Sequence, residues 1–303
     1  MKLQHLAAAL LGCCTLGMMV SCNEMSQQIG DIVKDNIEGK ARQLRDSQTW
    51  GKVIIHDYDD ELGDALPSVC AIETEGMADI YFTQSDTVHV KAVANEKVLE
   101  AYDISIREGG TLSIRYSDKA RNVGKMPAIY LYVSAPTLQQ LAIAAAGDFH
   151  LTSPLTQNED LAIAVSGAGD VDIENDIACG ALAIAISGAG DVDLRHADCR
   201  NANIAVSGAG DVTMKKLKAR DNVTLTISGA GDVDAKVRCQ QFSMEASGAG
   251  DADINVKADV AKVAATGAGD VELEGKVRRL VRRKSGFSSL STKKLAAEEI
   301  VSE

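Results

Sequence analysis

The sequence predicts an all-β protein, a single-stranded parallel β-helix (β-solenoid) of about seven to eight rungs, expected to be right-handed, with an irregular β cap at its N-terminal side. Three observations lead there. Ser-Gly-Ala-Gly-Asp recurs at Asp170, Asp191, Asp211, Asp232 and Asp251, then as Thr-Gly-Ala-Gly-Asp at Asp270. An eroded copy, Ala-Ala-Ala-Gly-Asp, ends at Asp148, so the steps are 22, 21, 20, 21, 19 and 19 residues. Composition agrees: apolar residues reach 46% but aromatics only 4%, so the core is built of small aliphatic side chains that suit thin stacked turns. Finally, both flanks of each motif alternate with period two, the mark of a strand with one face inward.

Residues 1–21 read as a signal peptide of the lipoprotein kind. Lys2 supplies the positive start, Leu3 to Val20 is almost wholly apolar, and Val20-Ser21 precedes Cys22. Cys22 is the expected lipidated residue. An ordinary signal peptide, or a cut at Cys13 or Cys14, is the alternative; the latter would leave a short apolar run. No later segment reaches the 18 apolar residues needed to span a bilayer. Residues 22–50 read as a polar tether with a short helix, since Ile29, Val33, Ile37, Ala41 and Leu44 recur at helical spacing while Gly30 and Gly39 weaken it.

Residues 51–137 form the irregular β cap: short alternating runs such as KVIIHDY, DIYFTQ, TVHVKAV and AIYLYVS, with every Tyr before residue 135. A cap is physically required, because a bare first rung offers unpaired backbone as a template for aggregation.

Residues 138–295 carry the rungs. Positions seven and five before each Asp are apolar (Ile163/Val165 through Val263/Ala265), as are positions one and three after it (Val171/Ile173 through Val271/Leu273). The corner glycines are Gly167, Gly169, Gly188, Gly190, Gly208, Gly210, Gly229, Gly231, Gly248, Gly250, Gly267 and Gly269, expected to supply positive φ at a tight turn. Around Gly286 the motif loses its Asp. The basic run KVRRLVRRK (276–284) reads as a charged terminal rung that blocks end-to-end growth, with a membrane or polyanion contact as the other reading. Residues 296–303 read as a tail.

Rungs such as SGAGDVDI and SGAGDADI, preceded by GMADIYFTQSDTVHVKAV and GGTLSIRYS, resemble the head GIN domain family of bacterial auto-transporter adhesins. The resemblance covers roughly residues 50–290. It implies a β-helix similar to the pectin lyases but without their catalytic residues. It also implies an exported lipoprotein anchored in the outer membrane of a Gram-negative bacterium, at the cell surface or on the periplasmic face, and a role in adhesion. It carries no set of functional residues.

The chemistry on offer is a column of stacked carboxylates at Asp148, Asp170, Asp191, Asp211, Asp232, Asp251 and Asp270, with a second at Asp172, Asp193, Asp234, Asp253 and Glu272 broken by Thr213. Like charges one rung apart repel by about 1 kcal/mol even in water. Either each Asp accepts backbone N–H groups of its own corner, or divalent cations sit between neighbours. In the second case Asp170, Asp172, Asp191, Asp193, Asp211, Asp232 and Asp234 are the candidate calcium ligands. The nonapeptide calcium β-roll fails in register and period. Cys179, Cys199 and Cys239 share one column, so a Cys179–Cys199 disulfide is a candidate beside the simpler reading of buried small side chains. No other cofactor is expected.

A net charge of −12 argues against nucleic acid. His56, His89, His150 and His196 are unrelated in register, and a uniform carboxylate ladder offers no contrasting acid and base, so no enzyme is expected. A polysaccharide-active β-helix is the minor alternative. Outward positions of the early rungs are Ala162/Ala164, Ala183/Ala185 and Asn203/Ala205, a flat patch suited to the chain's own cap, to homo-oligomer formation or to another partner. Two functions follow: a surface adhesin or scaffold that binds a protein or glycan, or a periplasm-facing lipoprotein that binds cations or a protein partner.

Overall fold

The computed structural model describes residues 22–44, 49–122 and 128–302; the expected signal peptide, residues 1–21, lies outside them. From Gln140 onward the chain winds as a parallel β-solenoid, and the whole stack has about 8 turns. A typical rung runs as strand Ala181–Ile186, Gly corner, then strand Val192–Cys199. Irregular register between Ile173 and Asp176, and between Met214 and Leu217, bends the long strand over two faces. Equivalent residues stack in register, as in Ile163, Ile184, Ile204, Leu225, Met244 and Val263. A second file runs through Phe149, Val171, Val192, Val212, Val233, Ala252 and Val271. Nearly all of these side chains are 0–2% exposed, so the tube is a packed core and not a pore.

The first rungs depart from chain order. Ala71–Thr74 pairs in parallel with Gln140–Ile143, and Ala78–Gln84 with Phe149–Leu151, so residues 71–84 already form a turn of the solenoid. On their other side lie Thr111–Tyr116 and Ile129–Ala135, also parallel. The chain therefore enters one rung inside the end, steps outward to build the end rung, and crosses back to continue the stack. The boundary expected at residue 138 falls inside the tube. Antiparallel strands close this end: Tyr102–Arg107 on Thr111–Tyr116, His89–Asn95 on Ile129–Ala135, and Val53–Asp57 on His89–Asn95.

A helix over Cys22–Gln43 docks on the same end. Ile37 is buried against Val93 and Tyr132, and Val33, Ala41 and Leu44 pack beside it. Lys40 Nζ lies 4.6 Å from the Tyr130 ring centre and 5.5 Å from that of Tyr81. Packing of one apolar face, rather than propensity, holds a helix that contains Gly30 and Gly39.

At the far end two expectations are corrected. The basic run 276–284 lies in strand Asp270–Lys284, the last rung but one, and residues 296–302 are no tail. They belong to strand Ser289–Ser302, which pairs with the strand before it. Leu295 and Ala297 join the core there, and Ile300 takes the inner register above Leu280.

Candidate functional site

The Gly corners superpose rung on rung, but the reason for glycine differs from the sequence expectation. Positive φ among the described residues occurs only at Gly51, Gly63, Gly109, Gly110, Gly275 and Gly286; of these only Gly286, in the degenerate last copy, is a corner, and none of the twelve expected corner glycines has it. What excludes a side chain is the rung beneath. A Cβ on Gly210 would stand 2.1 Å from the Gly190 carbonyl oxygen, and one on Gly208 would stand 2.0 Å from that of Gly188. The corners stack backbone on backbone.

Close stacking places each repeat Asp against the next. The Asp170 N–H donates to Asp148 Oδ1 (3.0 Å), Asp191 to Asp170 (2.9 Å) and Asp211 to Asp191 (2.8 Å). Asp232, Asp251 and Asp270 each donate to the preceding Asp at 2.7 Å. Each carboxylate from Asp148 to Asp251 therefore accepts from the neighbouring rung, where one of the two sequence readings had it accept from its own corner. These charge-assisted bonds offset the repulsion along the column. The ladder begins one rung earlier than expected, at Asp79, which accepts the Asp148 N–H at 3.3 Å. Glu75-Gly76-Met77-Ala78-Asp79 is a degenerate copy of the motif that the sequence reading missed, because 69 residues separate it from Asp148 and the period is lost. Burial, with the charge of Asp148 adding to it, raises the Asp79 carboxyl above the usual range.

A second outward column changes character along the tube. It runs Tyr132, Tyr81, His150, Asp172, Asp193, Thr213, Asp234, Asp253 and Glu272. Rung spacing stacks the rings: Tyr81 and Tyr132 are 5.0 Å apart at 17°, and Tyr81 and His150 4.9 Å apart at 23°. Burial, then Glu174, raises the Asp172 carboxyl; burial, then Glu272 and Asp234, raises that of Asp253. Among the described residues no three carboxylate, His or Cys side chains converge as a metal site needs. The expected calcium ligands Asp170, Asp191, Asp211 and Asp232 each spend one oxygen on the ladder, while Asp172 and Asp193 stand one rung apart and Asp234 two rungs beyond Asp193, across Thr213.

Cys179 and Cys199 lie on neighbouring rungs as expected, yet both are free thiols. Burial pushes the Cys179 thiol up to about 12 and those of Cys199 and Cys239 up to about 11. The histidines do not converge: His56 pairs with Glu61 (2.7 Å), His150 with Asp172 (3.7 Å), His196 with Asp176 (3.4 Å) and His89 with Asp59.

Among the described residues nothing covers the small-residue face. Ala164, Ala183 and Ala185 are exposed, and Ala162 and Ala205 half-buried. The cap does not pack on it, because the cap continues the stack along the axis. Further along, the same face carries Thr224, Thr226, Ser243, Glu245 and Lys262.

The family model described as "Putative auto-transporter adhesin, head GIN domain" matches residues 70–240 and 232–303. The chain belongs to this family. The start of the match at residue 70 agrees with a solenoid that begins at Ala71 and not at residue 138. Among solved structures, this head GIN protein is similar to a putative adhesin from Parabacteroides merdae at 19% identity and TM-score 0.67, covering 82% of this chain and 95% of that one. A putative lipid binding protein from Parabacteroides distasonis aligns at 15% identity and TM-score 0.60, over 83% and 96% of the two chains. A putative adhesin from the same organism aligns at 19% identity and TM-score 0.58, over 84% and 97%. At such identities these neighbours show a shared fold. A comparison with curated protein sequences gave no significant match.

Proposed function

We propose that this head GIN protein is a non-enzymatic envelope lipoprotein, tethered through Cys22, whose solenoid is a rigid adhesive scaffold at the cell surface. The observation that carries the reading is the exposed flat face around Ala164, Ala183 and Ala185, where small side chains leave room for close approach of a protein or glycan over several rungs. The packed interior supports it too: with the core residues almost fully buried, a ligand must lie on a face and cannot enter the tube. A lipid ligand of the kind named for the Parabacteroides distasonis relative would face the same limit. The docked helix ties the expected anchor to the capped end, which leaves the other end free to point away from the membrane. Mild protease treatment of intact cells should remove the protein, and cells carrying it should attach to glycan- or protein-coated surfaces in a way that Ala164→Glu/Ala185→Glu abolishes. Survival of the protein in intact cells would place it on the periplasmic side and end the adhesive reading.

A further inference from the structure

The two ends of the tube are built differently. Antiparallel strands and the docked helix close the N-terminal end. At the other end, strand Ser289–Ser302 pairs with Asp270–Lys284 on one side and with nothing on the other among the described residues. Its 14 residues wrap around the tube, so a long run of backbone N–H and C=O groups faces outward along the axis. The core is bared at the same place. Ile300 stacks on Leu280, which is fully buried, yet Ile300 is itself 53% exposed.

The pattern of this strand is symmetric about Ala296. Inner positions follow from the buried neighbours below: Leu290 lies on Val271, Leu295 and Ala297 belong to the core, and Ile300 lies on Leu280. Thr292 and Ser302 are inner as well, since Arg282 crosses the mouth and donates to both, at 3.0 and 3.1 Å. Counted from Ala296, the inner residues fall at one, four and six positions on either side. The charges mirror with opposite sign: Lys293-Lys294 on one side, Glu298-Glu299 on the other.

We propose that the protein pairs end to end with a second copy of itself, strand Ser289–Ser302 lying antiparallel to its equivalent about a two-fold axis at Ala296. In that register Lys294 faces Glu298 and Lys293 faces Glu299, twice over. Leu295 meets Ala297, Thr292 meets Ile300, and Leu290 meets Ser302, inner side on inner side. A slip of one residue would set Leu295 against the outward Ala296 and break both the charge and the core match. Among the described residues, the opposite end of the tube presents separate strands of 5 and 6 residues, Val53–Asp57 and Tyr102–Arg107. The matching partner of the long edge is therefore another copy of that edge. Such an interface is isologous and closes at a dimer. Where copies are anchored by their capped ends, which rests on the proposed function, the pair would join two facing surfaces.

Sedimentation velocity on the purified protein, from micromolar to sub-millimolar concentration, should show a monomer–dimer equilibrium. Lys293→Glu/Lys294→Glu and Glu298→Lys/Glu299→Lys, each setting like charges face to face, should weaken self-association by at least about a hundredfold. An equimolar mixture of the two variants should restore the dimer, which no loss of folding could mimic. Circular dichroism melts check that both variants are folded. A wild-type protein that stays monomeric, a dimer indifferent to either reversal, or a mixture that fails to associate would overturn the proposal. Beads coated with the protein through its N-terminus test the anchored arrangement separately, because clustering there requires both the pairing and an outward-pointing free end.

Discussion

Replacing Gly210 by Ala adds one methyl group where the structure has no room for it. The new Cβ would lie 2.1 Å from the Gly190 carbonyl oxygen, 2.9 Å from its carbon and 3.1 Å from Ile186 Cγ2. Gly210 does not have positive φ, so backbone conformation contributes no penalty and the cost is purely steric. Relief requires the two corners to part by about an ångström, which overpacking data price at about 1–3 kcal/mol. The same movement stretches the Ala209 N–H to Gly188 bond (2.9 Å) and the Asp211 N–H to Asp191 bond (2.8 Å). At about 1 kcal/mol each, their loss brings the expected destabilisation to about 3–5 kcal/mol. Gly39→Ala is the control: nothing lies within 4 Å of its Cβ, and in a helix the change should stabilise by about 1 kcal/mol. Urea denaturation followed by hydrogen exchange should show the loss concentrated in the rungs around residues 188–211, since a solenoid's stability is a sum of neighbour terms. A Gly210→Ala protein within about 1 kcal/mol of wild type would refute the account of the corners as backbone stacked on backbone.

The Asp ladder predicts that Asp211→Asn, which keeps an acceptor oxygen and sheds charge, leaves stability unchanged or higher, while Asp211→Ala lowers it by about 1–2 kcal/mol; equal effects in urea melts would deny the ladder its role. The raised carboxyls of Asp79, Asp172 and Asp253 bind protons more tightly in the folded chain than in the unfolded one. Their contribution is full below the unfolded pKa, about 3.9, and is lost as pH rises through the raised folded values, so the Tm should rise as pH is lowered from neutral toward about 4. Asp79→Asn/Asp253→Asn should flatten that slope, and a Tm that falls steadily over the window contradicts the assignment. Millimolar calcium should leave the Tm within about 1 °C, because the carboxylates do not converge; a large upward shift would restore the cation reading. Buried Cys199 should resist thiol reagents in the native protein and react on unfolding, half-buried Cys179 and Cys239 should react more slowly than when unfolded, and the unreduced mass should show no disulfide among them.

Much of the rung architecture was legible because it is local. The motif period and the alternation of Ile184/Ile186 and Val192/Leu194 fix which side of each strand faces inward, without knowledge of any distant residue. The candidate site was only half legible. The carboxylate column followed from the period, but the acceptor role across rungs did not, since it depends on how closely corners approach. Asp79 escaped notice because its motif is degenerate and lies out of period, and the degenerate corner at Gly286 was seen but residues 296–302 were read as a tail because no further motif follows them.

The sequence alone determined that this chain stacks, what it buries and where its corners fall, since each rung repeats the same short-range pattern. Only the tertiary structure decided the order of the first rungs, with residues 111–135 lying outside 71–84, and the difference between a closed end and an open one. Those choices rest on pairings between segments far apart in the chain. Any alternating strand can satisfy such a pairing locally, and only the assembled edge selects among them.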